Sequence, residues 1–183
     1  KFDTNFNPDN PLYFLKSVDE KAKLALTFDP AKKEEVRLCY AKQRLTEMEK
    51  MTSVNKNQNI AGMAASYDNF ISKVASGLEE LKKQGKDVSA LSSLLDAEAA
   101  RHKLFLEELK IKLPDAAGKG INTAVMASER ASDTVADVSG KPAVPQDVIA
   151  RLQVLKAQGL LTTEEVQTLI SSNSRKDARE KLR

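Results

Sequence analysis

Few residues in this chain could do chemistry. Its 183 residues include one histidine, one cysteine and no tryptophan. His102 stands one helical turn after Glu98 and one turn before Leu106. At that spacing a carboxylate can orient an imidazole as a base. No nucleophile accompanies the pair, so His102 reads as a packing and hydrogen-bonding residue. Cys39 sits beside the apolar position Leu38. A lone thiol can serve redox or metal chemistry, or pair between chains in an oxidising compartment. Its simpler reading, and the one adopted, is a small buried hydrophobe. Glu79–Glu80 and Glu107–Glu108 are adjacent pairs. Neighbours on a helix diverge by ~100°, so neither pair closes on one ion. A two-metal bundle centre needs Glu-x-x-His on facing helices, and one histidine cannot supply it. Gly159-Leu-Leu-Thr-Thr-Glu-Glu165 resembles the flank of a calcium-binding helix-loop-helix without its alternating Asp/Asn loop. No phosphate-binding glycine loop, nucleophile elbow or CxxC is present. The expectation is a non-enzymatic protein with no catalytic residue, metal, cofactor or small-molecule substrate.

Charge narrows the partners. The net charge is +3 and the isoelectric point about 8.9. Residues 1–53 carry ten basic and nine acidic side chains, and residues 54–138 carry eleven and twelve. The surplus lies in the tail, where Arg175, Lys176, Arg179, Lys181 and Arg183 are diluted by Asp177 and Glu180. A neutral body has no long-range field for a polyanion, so no specific nucleic-acid contact is expected. With no apolar run of ~18 residues, no transmembrane segment is expected either. The tail reads as a solvated, charged helix end.

The elements that hold these residues read as helices throughout. Apolar residues are 41% and aromatics 5%, enough for a core but poor for an aromatic-lined pocket. After a polar arm (1–10), a first helix starts near Pro11 with Asn10 as cap, and Leu12, Leu15, Val18, Ala22 and Ala25 form its apolar stripe. Phe28-Asp29-Pro30 ends it, and Asp29 caps a second helix over about 30–52. Leu38, Ala41, Leu45 and Met48 make that helix's seam. The Asn-rich stretch 52–59 is a loop or a kink, an unbroken helix being the alternative. A third helix spans 59–84 with Ile60, Met63, Tyr67, Phe70, Val74, Leu78 and Leu81 on one side, closed by Gly85. Asp87 caps a fourth over 88–113, stopped by Pro114; its stripe includes Leu91, Leu95, Ala99, His102 and Leu109. A weaker fifth helix carries Ile121, Val125, Ser128 and Val135.

Residues 139–146, with two prolines and a glycine, are the best boundary in the chain. A helical hairpin at 147–172 follows. Leu152 and Leu155 lie on one stripe and Val166, Leu169 and Ile170 on the other, with Thr162-x-x-Glu165 as a capping box. Two such short helices bury little alone, so they must dock on the body or on another chain. The five apolar residues are the candidate interaction surface. The fold class is all-α: a bundle of four or five helices over 11–138, a linker at 139–146, the hairpin, and the tail at 173–183.

The opening run is more specific than periodicity requires. Pro11-Leu12-Tyr13-Phe14-Leu15-Lys16 is followed by Glu20, then Leu26-Thr27-Phe28-Asp29-Pro30, then Arg44-Leu45 and Glu47. This pattern, P-L-Y-x-L-K, L-T-F-x-P and R-L-x-E, resembles an uncharacterised all-helical domain family of bacterial and archaeal secreted or cell-envelope proteins. The resemblance covers about 10–137. It implies an extracytoplasmic module without assigned activity, whose signal segment is not in this chain, and it carries no catalytic residue over. By themselves these residues encode a corner between the first two helices. Arg44 can reach the first helix, and Lys16 with Glu20 makes an i,i+4 pair. The expected role is a protein-interaction or structural module working through helix faces, by a partner or by self-association. A regulatory domain of an envelope signalling protein is the alternative, and a metal- or small-ligand-binding bundle comes third.

Overall fold

The computed structural model describes residues 8, 10–140 and 144–172. Among them are seven α-helices, one short 3-10 turn and no strand. The helices are α1 (Tyr13–Leu26), α2 (Pro30–Ser53), α3 (Ile60–Lys83), α4 (Ser89–Ile111), α5 (Asp115–Ser139), α6 (Gln146–Ala157) and α7 (Thr163–Ser172), with the 3-10 turn at Asn57–Asn59. None is long and apolar enough to cross a membrane. The basic tail and most of the N-terminal arm lie outside the described residues.

Local chemistry sets the boundaries. Asp29 accepts from the Lys32 amide at 3.0 Å, and Pro30 occupies the first position of α2, where no intrahelical donor is needed. The capping box forms at α7: the Thr162 amide donates to Glu165 at 2.7 Å, and the Glu165 amide donates to the Thr162 hydroxyl at 3.2 Å. Asp87 caps by accepting from the Ser89 amide at 2.9 Å. The Asn-rich stretch is a break, not an unbroken helix. Asn55 takes the left-handed conformation at φ 57°, and the Lys56 amide reaches back to the Met51 carbonyl at 2.9 Å. Gly85 (φ 70°) ends α3 in the same way, with Lys86 donating to Leu81 at 3.0 Å.

The seams meet in one core. Leu38, Ala41, Leu45 and Met48 of α2 are buried against Ile60, Tyr67, Val74 and Leu78 of α3. Leu95 and Leu106 of α4 complete the core with Ile121, Ala124 and Val135 of α5. The heaviest contacts run α2 to α3, α3 to α5 and α4 to α5. α3 and α4 meet little directly, so α5 is the element that joins them. A second cluster forms where Val148, Leu152, Leu155 and Val166 close on Ala100 and Leu104 of α4. Arg101 to Asp147 (2.8 Å) and Arg151 to Glu108 (2.7 Å) tie α6 to α4 beside it.

Two expectations need correction. Cys39 is exposed, not buried. One residue along from the buried Leu38 is a rotation of ~100°, enough to turn the thiol out. The apolar stripe of α1 also faces the wrong way. Leu12, Leu15, Val18, Ala22 and Ala25 are all exposed, while Tyr13, Lys16, Glu20 and Leu24 face inward. Phe28, at the corner, is 88% exposed. The reason is the partner that α2 offers, a buried arginine flanked by a carboxylate.

At Gly120, α5 comes so close to α3 that a Cβ would stand 3.0 Å from the Ala61 Cα. Backbone on both sides leaves little room to give. Gly120→Leu should lower unfolding free energy by about 2 kcal/mol through overpacking. Urea denaturation checks it; stability equal to the parent would mean that α5 can shift at no cost.

Candidate functional site

The opening motif assembles one ionic cluster from three helices. Arg44, in the middle of α2, is 3% exposed and surrounded. Its Nη1 donates to Glu47 Oε2 at 2.6 Å and to the Tyr13 hydroxyl at 2.6 Å. Its Nη2 donates to Glu20 of α1, and its Nε to the Ser66 hydroxyl of α3 at 3.1 Å. Tyr13 in turn donates to Glu47 Oε2 at 2.7 Å, and Lys16 pairs with Glu47 Oε1. The guanidinium carbon lies 5.6 Å from the Tyr13 ring centroid and 5.7 Å from that of Phe70. Two cations, two carboxylates and one phenol thus satisfy one another, with Arg44, Glu20 and Glu47 buried and Tyr13 and Lys16 half-buried, the condition under which buried charge is tolerated.

The electrostatics follow from that closure. Burial raises the Glu47 carboxyl, but hydrogen bonds from Lys16 and Tyr13 and the charge of Arg44 outweigh it, and the net shift is downward. Burial, then the bond to Glu47, pushes the Tyr13 phenol well up, so it stays a donor. Arg44 is buried, which opposes its charge, yet the neighbouring Glu47 and Glu20 hold it more firmly charged than usual. The expected Lys16–Glu20 pair within α1 does not form. Each goes to α2 instead, because tertiary partners out of solvent bind more strongly than an exposed i,i+4 neighbour. Tyr13, Glu20, Arg44 and Ser66 of the cluster line a cleft of about 480 Å³ between α1 and α3.

A second polar group lies inside the bundle. The Tyr67 hydroxyl is 3.2 Å from His102 Nδ1 and 2.6 Å from the Ser128 hydroxyl, which links α3, α4 and α5. His102 Nε2 is 3.5 Å from Glu98 Oε2. That is an electrostatic contact at the edge of hydrogen-bond reach, and the carboxylate favours the tautomer protonated at Nε2. In that tautomer Tyr67 donates to Nδ1, and the one Ser128 hydroxyl proton is shared between Tyr67 and the Ala124 carbonyl 3.2 Å away. Burial holds His102 below its ordinary 6.5 against the pull of Glu98. The contact with His102, opposed by burial and helped by Lys42 and Arg101, brings Glu98 down to about 2. His102 is thus a packing and hydrogen-bonding residue in this fold, as its position in the stripe suggests.

Of the residues singled out in the sequence, Tyr13, Lys16 and Arg44 come together, and Leu45 lies behind them in the core. Leu12, Leu15, Phe28 and Pro30 are exposed and take no part in the cluster. Glu20, Glu47 and Ser66 complete it. The first two belong to the opening pattern, and the available signals were Glu47 three residues after Arg44 on the same helix and the charge of Glu20 on the helix before it. Leu152, Leu155 and Val166 are buried within the chain, and Leu169 and Ile170 are half-buried in the same cluster, so α6 and α7 turn these residues to α4.

The fold and cluster define an all-helical domain whose first helix is fastened by buried ion pairs. The family model described as "Domain of unknown function (DUF5667)" matches residues 5–116, and the chain belongs to this family. No curated protein and no solved structure matches the chain. The match takes in α1 to α4, with every residue of the ionic cluster, and stops as α5 begins.

Arg44→Ala should cost about 3–5 kcal/mol in urea denaturation, because it leaves Glu20 and Glu47 buried without their shared cation. A cost under 1 kcal/mol would show that water already reaches them. The pH dependence has a definite sign. His102 and Glu98 are both depressed in the folded chain, so in acid the unfolded chain binds more protons and stability falls. The decline starts as pH drops below about 6.5, when unfolded His102 charges, and resumes from about 4.5 towards 2. Urea midpoints stepped from pH 7 to pH 3 read this out. His102→Gln should flatten the upper step and, by removing the main cause of the Glu98 shift, shrink the lower one as well. Glu98→Gln should make the lower step shallower, with Glu47, Asp87, Asp147 and Glu165 among the depressed carboxyls that supply what remains.

Proposed function

We propose that the chain is a non-enzymatic helical interaction module of the cell envelope or the secreted space, and that the outer face of α1 is where it meets a protein partner or a second copy. The orientation of α1 carries this reading. Its inner face is polar and engaged with α2, while Leu12, Leu15, Val18 (56% exposed) and Leu26 (71% exposed) form a row outside. Apolar residues at this spacing are what a partner groove or helix takes up. The remainder works as a scaffold, a four-helix body with the α6–α7 hairpin docked on it. The hairpin was the first expectation for a contact surface, but its stripes already have a partner in α4, which leaves α1 as the better supported face. The extracytoplasmic placement rests on the resemblance of the opening motif. A regulatory role is the second reading, favoured by the ionic seam under α1, which acid can loosen by protonating Glu47.

Size exclusion with light scattering on the full chain and on Leu15→Glu/Val18→Glu tests the proposal. The variant should lose self-association, or capture of an envelope partner, and keep its unfolding midpoint, because both residues are exposed. Unchanged assembly in the variant would move the contact face away from α1.

A further inference from the structure

The cleft beneath α1 has a chemistry of its own, separate from the outward stripe. α1 rests on α2 and stands off α3, and the space between them is about 480 Å³, within the usual size of small-ligand sites. Its walls combine two kinds of group. Leu24 of α1 and Met63 and Phe70 of α3 supply apolar surface. Ser66 and Asn69 bring side-chain donors to the same space.

Charge then selects the ligand. Lys21 of α1 and Lys73 of α3 line the cleft from opposite walls. Both are exposed, and neither makes an ion pair among the described residues. The one carboxylate among the described lining residues, Glu20, is already bound to Arg44 on the floor. Among the described residues, an entering molecule therefore meets two lysines without an ion pair beside an apolar wall, with no free carboxylate in the lining. A neutral apolar molecule gains nothing from the lysines, and a small inorganic anion leaves the apolar wall bare.

We propose that the cleft between α1 and α3 binds a small organic anion with an apolar body, of which a medium-chain carboxylate is the simplest form. The lysines hold the carboxylate at the mouth, and the chain lies along Leu24, Met63 and Phe70. Such a ligand would bridge α1 to α3, which the fold itself hardly connects.

Sodium octanoate, octanol and sodium acetate serve as probes on the full chain, followed by amide chemical shifts. Octanoate should give saturable shifts confined to the facing sides of α1 and α3. Octanol and acetate should each bind about ten-fold more weakly or worse. Lys21→Gln/Lys73→Gln should bring octanoate down to the level of octanol, about ten-fold. Gly62→Leu is the second variant. Gly62 lines the cleft within α3, and a Cβ there meets nothing within 4 Å, so the new side chain fills the cleft without disturbing the helix. It should abolish the octanoate shifts and leave the circular dichroism unchanged. Equal binding of octanol, undiminished octanoate binding in either variant, shifts confined to the outer face of α1, or no octanoate shift at millimolar concentration would each overturn the proposal.

Discussion

A buried guanidinium needs a partner at each of its nitrogens, and in this chain that requirement falls on Arg44. Two carboxylates, a phenol and a serine hydroxyl meet it, drawn from α1, α2 and α3. Satisfying the arginine places α1, because Glu20 and Tyr13 must both face α2. Once they do, the rotation of α1 is set: Leu15, Val18 and Leu26 are turned to solvent, and Leu24 alone of its leucines stays inward. The same rotation leaves space between α1 and α3, because the apolar side chains that would fill it are on the far face. The corner, the exposed stripe and the cleft follow from one buried charge.

The division between what the residues disclosed and what they concealed has the same origin. In α2 to α5 apolar periodicity and burial agree, so Leu38, Tyr67, Leu95 and Ile121 fall where a helical repeat puts them. Asp29 and the Thr162–Glu165 box also act as read, since caps depend only on near neighbours in the chain. α1 breaks the rule because periodicity counts apolar residues as inward by default. It has no way to weigh a row of leucines against a tyrosine, a lysine and a glutamate with a buried partner on another helix. Lys16 was misassigned for the same reason, its local neighbour being visible in the sequence and Glu47, 31 positions away, only through the fold. The cleft was illegible altogether, as it is bounded by residues unrelated in sequence.

The extent of the family match sharpens the picture of the unit. It covers 5–116, yet Tyr67 of α3 finds its serine on α5, and Ile121 and Ala124 close the core that α3 and α4 share. The ionic cluster belongs wholly to the matched portion, whereas the buried Tyr67–His102–Ser128 link needs α5 from beyond it. The two polar groups thus differ in kind. One fastens the first helix to the body from within the matched region, and the other pins the body's own last helix.

The fastening of α1 is mostly charge, and charge is indifferent to exposure in a way that hydrocarbon is not. When an oily interface parts, water must wrap new apolar surface, and the cost drives reclosure or aggregation. When Glu20, Lys16 and Tyr13 part from Arg44 and Glu47, each group regains hydration that compensates much of what it gives up. α1 is therefore joined to the body by a clasp that can open in water and close again, while the hydrocarbon core of α2 to α5 stays shut.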